Sequence, residues 1–147
     1  MIHVECAVPA RASRSAAWHV LEDIVHHPER HLSRILACEI EKRGEDEVIR
    51  RVRFDDRTEV VERVVLVPER EVLFQFLEHP KFDGEIRHVL FEVDGDLWLS
   101  FLFRGHAKEG GELSRDELDQ VREGFARAVR VAAAEAQRVD RAALEPT

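Results

Sequence analysis

The chain has 147 residues, 44% of them hydrophobic, and a formal charge of -8, which describes one domain with an ordinary core. The acidic balance and the lack of any Lys/Arg run exclude a surface that tracks nucleic-acid phosphates, and no window of eighteen apolar residues is present for membrane insertion. The opening "MIHVECAVPA" has neither the basic nor the long apolar region of a signal peptide, so a cytoplasmic location is expected.

Val4, Cys6 and Val8 alternate with Glu5 and Ala7, which predicts a first strand ended by Pro9. "SRSAAWHVLEDIV" then offers Ser13 as an N-cap and Ala17, Trp18, Leu21, Ile24 and Val25 at helical spacing. Pro28 cannot continue that helix but suits the first position of another, so "HPERHLS" reads as a second short helix. Cys6 and Cys38 are too few and too far apart for a disulfide framework or a zinc knuckle and are expected as buried free thiols.

From Ile35 to about Gly105 the pattern turns to period two, broken at "RGED", "DDR", "PER", "HPKFDG" and "DGD". Six strands with short connections imply antiparallel hairpins, whose registers can be tested by charge and polarity. A three-residue "DDR" loop sets Phe54 opposite Thr58, Val52 opposite Val60, Arg50 opposite Glu62, Val48 opposite Val64 and, on the other face, Arg53 opposite Glu59. Across "GED", Cys38 meets Val52, Ile40 meets Arg50 and Glu39 meets Arg51. A slip of one residue would send each set to the wrong face. The inward face continues through Phe74 and Phe76 and, with a three-residue "DGD" loop, through Val89, Phe91, Leu99, Phe101 and Phe103. That register turns His88 outward. The last element opens on a Ser114/Glu117 capping box and carries Leu118, Val121, Phe125, Val129, Ala132 and Ala136 on one stripe. Residues 1–139 are thus assigned to a single domain and 140–147 to a frayed tail.

The opening strand, the segment "AAWHVLEDIVHHPERHLSRILACEI" and the terminal "DELDQVREGFARAVRVAAAEA" appear in the order that resembles the helix-grip fold of the START/SRPBCC superfamily, which includes the birch pollen allergen. Within it, "VIRRVRF" and "VVERVVLVP" look most like the uncharacterised AtaL-like branch. The resemblance implies an α+β helix-grip fold: a curved seven-stranded antiparallel sheet wrapped around the long C-terminal helix, with two short helices after the first strand. It also implies an elongated apolar cavity between sheet and helix. Relatives bind lipids, sterols, polyketides or plant hormones, and some act as cyclases or aromatases, so the fold alone does not select a function.

Arg50 and Glu62 are the most informative pair, because the register puts both on the otherwise apolar inner face, where a charge needs a partner. They are read either as a polar anchor for a ligand or as a structural ion pair. Phe74, Phe76, Phe91, Phe101, Phe103 and Phe125 either line a pocket or fill a core. Glu62 and His88 are the candidates for proton transfer if a reaction is catalysed. His26, His27 and His31 in "IVHHPERHL" lack the spacing of a helical ligand pair and have no HExxH or CxxC pattern beside them, so no metal and no cofactor are expected. In the resembling fold this bend lies near one end of the cavity, which makes His27 and His31 candidates for its mouth. His79 and His106 fall in loops expected to be solvated.

Val61, Val65, Leu73, Leu77, Trp98 and Leu102 are expected on the outer sheet face, either as a homodimer interface or covered by neighbouring Arg and Glu side chains. The leading expectation is non-covalent binding of a small hydrophobic or amphipathic molecule. The alternatives are a polyketide cyclase- or aromatase-like enzyme and a protein-interaction module acting through the outer sheet face.

Overall fold

The computed structural model describes residues 1–144. Its elements are β1 (Ile2–Pro9), α1 (Arg14–His26), a 3-10 turn (Pro28–Arg30), β2 (Ile35–Gly44), β3 (Glu47–Phe54), β4 (Glu59–Val67), β5 (Glu71–Glu78), β6 (Phe82–Val93), β7 (Asp96–Ala107) and α2 (Arg115–Leu144). The seven strands form one sheet in the order β1-β7-β6-β5-β4-β3-β2, antiparallel throughout. The first strand therefore pairs with the last, and the concave face that results holds α2. This is the helix-grip α+β fold.

Both helices start as their caps dictate. Ser13 Oγ accepts the N–H of Ala16 at 3.1 Å, while Ser114 and Glu117 exchange hydrogen bonds, each 3.1 Å long, in a reciprocal box. Pro28 does start a helical segment, but only one 3-10 turn of three residues follows, because the chain must descend into β2 within a few residues. The 140–147 segment, expected as a tail, is helical as far as Leu144, and residues 145–147 lie outside the described residues. Asp140 is held: its carboxylate accepts the backbone N–H of Ser13 at 2.6 Å and the Ser13 hydroxyl at 2.7 Å. The cysteines are free thiols, half-buried and not fully enclosed.

The β3–β4 register pairs Arg50 with Glu62, Val52 with Val60 and Arg53 with Glu59, and the Phe54 N–H donates to the Thr58 carbonyl at 2.9 Å. In the β2–β3 hairpin the turn has two residues, since Gly44 faces Glu47, yet a bulge between Ile40 and Lys42 restores the expected pairs Ile40/Arg50, Glu39/Arg51 and Cys38/Val52. The β6–β7 hairpin corrects the sequence reading. Asp94 and Gly95, with φ of 50° and 85°, form a two-residue turn in which both φ are positive, and Val93 faces Asp96. No bulge offsets it, so His88 faces Phe101, Leu90 faces Leu99 and Ile86 faces Phe103. His88 therefore points inward, and Val89 and Phe91 point outward; Phe91 stacks on Trp98 with centroids 6.5 Å apart.

At the far end of this hairpin Gly84 faces Gly105, and a Cβ on either would overlap backbone of the neighbouring strand, so the two strands curl closely there. Where α1 meets the C-terminal half of α2, Val20, Leu21 and Val25 are buried in one cluster with Val129, Ala132, Ala136, Val64, Val72 and Leu99. On the outer face Val61 is buried, while Leu77 is about half exposed at 51%. Arg51, Arg63 and Arg87 stand among these apolar residues, tied to carboxylates of Glu41, Glu47 and Glu85. No described helix is long and apolar enough to cross a membrane.

Candidate functional site

Between the concave face and the N-terminal half of α2 lies a cavity of about 500 Å³. Phe74, Phe76, Phe101, Phe103 and Phe125 all line it, as do Arg50, Glu62 and His88. Phe91 does not, for the register reason given above.

Arg50 is fixed from two sides. Its Nε donates to Glu62 Oε1 at 2.8 Å across the β3–β4 pair, and its Nη1 donates to the carbonyls of Ile24 at 2.8 Å and Val25 at 2.7 Å. Those carbonyls belong to the last turn of α1 and would otherwise be orphaned, so Arg50 ties that helix end to the sheet. Its guanidinium carbon lies 5.0 Å from the centroid of Phe74. Arg50 and Glu62 are each only 6% exposed. Nη2 and Oε2 take no part in these contacts. The pair is electrically balanced, which decides what kind of group it can receive.

His88 lies beside this pair, sandwiched by rings: it stacks on Phe101 with centroids 3.7 Å apart and tilts against Phe74 at 4.7 Å. Burial, helped by the charge of Arg50, pushes its pKa down to about 3, so the imidazole is neutral at pH 7. Nδ1 is sealed from solvent and has no hydrogen-bond partner. The ring therefore meets the cavity through Nε2.

The mouth is built by the bend after α1. His31 Nε2 lies 2.8 Å from Asp23 Oδ2, and the same carboxylate group takes Arg30 Nη1 at 3.0 Å. Burial raises the Asp23 pKa, but the His31 hydrogen bond and the charges of Arg30, His31 and His27 outweigh it and hold the carboxyl below its ordinary value. His31 and Leu32 line the cavity on this side. His27 does not: it is exposed and turned toward Glu29, with Nδ1 3.5 Å from the carboxylate. Its place before Pro28 aims it away from the rim.

His79, expected in solvent, lines the cavity instead. Its Nδ1 accepts the N–H groups of Lys81 at 3.0 Å and Phe82 at 3.1 Å, which puts the ring proton of the neutral form on Nε2. Burial, then Lys108 and Lys81, lowers its pKa. Phe54 and Phe82 also belong to the lining. Phe54 falls on the face that the β3–β4 register gives it with Arg50 and Val52, whereas Phe82 follows a turn segment, where strand periodicity assigns no face. Among the described residues no group of three His, Cys, Asp or Glu could hold a metal ion.

The family model described as acetylaranotin biosynthesis cluster protein L, AtaL, matches residues 8–142. Among curated protein sequences none matches significantly. Among solved structures, the Zhui aromatase/cyclase from Streptomyces sp. R1128 superposes with a TM-score of 0.71 at 24% identity, covering 99% of both chains. The di-domain ARO/CYC StfQ from the steffimycin biosynthetic pathway gives 0.77 at 14% identity over 97% of this chain and 52% of that one. Ara h 8.0201 gives 0.72 at 11% identity over 93% of this chain and 98% of that one. At these identities the likenesses show the fold.

Proposed function

The chain belongs to the AtaL family, within the helix-grip superfamily, and from that premise we propose that its cavity binds, without a covalent bond, a small and largely apolar molecule whose buried polar group is uncharged. The observation that carries this reading is an aromatic cavity of about 500 Å³ with the buried Arg50–Glu62 pair and His88 in its wall. That volume lies within the roughly 300–1,000 Å³ of small-molecule sites. A filled core would leave no such space among these side chains, because protein interiors are close-packed.

Arg50 and Glu62 set the charge of the ligand's inner end. Glu62 already neutralises Arg50, and His88 is neutral, so a carboxylate arriving there would meet no uncompensated cation. A carbonyl or hydroxyl accepts from Arg50 Nη2 or exchanges a hydrogen bond with His88 Nε2 at no such penalty. Phe74, Phe76, Phe101, Phe103 and Phe125 supply ring faces and edges for the apolar body, and His31 stands at the rim.

A second reading, a cyclase- or aromatase-like enzyme, is favoured by one observation: His88 and Arg50 share the cavity, a base beside a cation able to stabilise an enolate oxygen. Against it stands the low basicity of His88. A base with a pKa of about 3 lies far below the working pH at which proton abstraction is efficient. Binding is therefore the better-supported use of the same residues.

Titration with N-phenyl-1-naphthylamine, a neutral fluorophore, tests the cavity, and 2-naphthol against 2-naphthoate tests its charge preference. Saturable fluorescence gain is expected, with naphthol about tenfold tighter, equivalent to roughly 1.4 kcal/mol. No binding by any of the three would remove the proposal. Turnover of a linear poly-β-ketone that His88→Phe abolishes, with naphthol affinity unchanged, would transfer the conclusion to the enzyme reading.

A further inference from the structure

Helix α2 carries a glycine in its interior, Gly124, in a helix of 30 residues. Glycine is a poorer helix residue than alanine because it loses more backbone freedom, so an interior glycine calls for a reason. Two reasons are common: a backbone conformation that side chains avoid, or another chain segment pressing too close for a methyl. Neither holds at Gly124. Its φ is not positive, and a Cβ built there meets nothing within 4 Å, in contrast to Gly84 and Gly105, where it would strike backbone.

The helical turn places Gly124 on one face with Gln120, Val121, Ala128 and Val131, four residues that line the cavity with it. The ligand-free protein thus gives no use for the missing methyl, yet the methyl is missing from the cavity's roof. On the sheet side of the same cavity stands His88, from β6.

We propose that Gly124 is a specificity-determining residue: the bare backbone of α2 at this point is the surface against which the outer part of the ligand lies while its polar end meets His88. The inference rests on the cavity being a binding site and adds which residue limits the bulk it admits. A side chain at 124 projects into the space the ligand body occupies, so affinity falls as that side chain grows. The protein itself does not need the glycine, so its fold tolerates the change.

The test uses the full chain, N-phenyl-1-naphthylamine as probe, and the series Gly124→Ala, Gly124→Val and Gly124→Leu, with Ala134→Leu on the exposed face of the same helix as control. Gly124→Ala is expected to melt about 2–4 °C higher, as helix propensity without a clash requires. The probe is expected to bind about threefold more weakly to Gly124→Ala and more than tenfold more weakly to Gly124→Leu, while Ala134→Leu binds as the wild type does. Equal affinity in the wild type and Gly124→Leu overturns the inference and leaves the cavity reading standing. A lower melting temperature for Gly124→Ala also overturns it, since the methyl would then have met the fold itself. A wild-type protein that binds no probe overturns both.

Discussion

The two halves of α2 cover the same sheet and do opposite things. Toward its C-terminus Val129, Ala132, Ala133 and Ala136 are buried, and the helix lies close against α1 and the first strand because alanine keeps the backbones near each other. Toward its N-terminus Gln120, Gly124 and Arg127 are exposed, Phe125 and Ala128 are only partly buried, and the cavity lies beneath. The rings explain the gap. Phe103 meets Phe125 at 6.2 Å, Phe82 at 5.4 Å and Phe76 at 6.1 Å between centroids, so ring edges prop the helix off the sheet. Small side chains close one half, and large rigid ones packed against each other hold the other open.

Arg50 and Glu62 stand where the two halves meet, and removing one charge breaks the boundary first. Glu62→Leu leaves Arg50 buried without its counter-ion and is expected to cost about 3–5 kcal/mol in urea unfolding. A cost under about 1 kcal/mol would show that the pair is solvated and that the polar end of the cavity is not dry.

The next effect is a pH dependence from His88. Its pKa is about 3 folded and 6.5 as a free side chain, so from pH 6.5 downward the unfolded chain takes up a proton that the folded state refuses. Stability therefore falls as pH falls through that window, by about 1.5–2 kcal/mol between pH 6.5 and 5. Burial lowers the His26 and His79 pKa values as well, so their contributions have the same sign. His88→Phe should flatten most of this slope when unfolding is followed by denaturant at several pH values. An unchanged slope would mean that the ring is hydrated and not buried.

A matched pair of substitutions then tests the halves directly. Ala136→Leu inserts bulk where the helix already touches its neighbours and should cost about 1–3 kcal/mol. Ala128→Leu inserts the same bulk over the cavity and should change stability by less than about 0.5 kcal/mol. Equal costs at the two positions would mean that the open half is as filled as the closed one.

The sequence readings succeeded and failed on the same question of loop length. Of the hairpins expected to have three-residue loops, β3–β4 has one, whereas β2–β3 and β6–β7 each turn on two residues. At β2–β3 the bulge near Glu41 absorbs the difference, so Ile40 still meets Arg50. At β6–β7 nothing absorbs it, and one residue of slip exchanged Phe91 for His88 on the cavity wall. The Asp94-Gly95 dipeptide was a legible signal for the shorter turn, since both residues readily take positive φ. The Arg50/Glu62 pairing was legible because charge and polarity agreed on both faces of the hairpin. The bonds from Arg50 to Ile24 and Val25 were not, because they join elements far apart in the chain by contacts that leave no periodic trace. His79 was hidden for a similar reason: its inward aim is set by two backbone N–H groups in a turn.

The smallest expected effect concerns the clasp at the far end of the closed half. Gln137 Nε2 donates to the Ala10 carbonyl at 3.0 Å, and Asp140 accepts from both the N–H and the hydroxyl of Ser13, whose own oxygen caps α1. The C-terminal turns of α2 thus hold the residue that starts α1, and Asp140 takes part in closing the packed half. Asp140→Ala removes two short hydrogen bonds to a carboxylate at a partly exposed site, so a loss of about 0.5–1.5 kcal/mol is expected. If the packed half is closed independently of the open one, naphthol affinity stays at its wild-type value while the urea midpoint falls. A drop in affinity alongside stability would show instead that the position of α2 over the cavity is set from its far end, and that the two halves act as one lever.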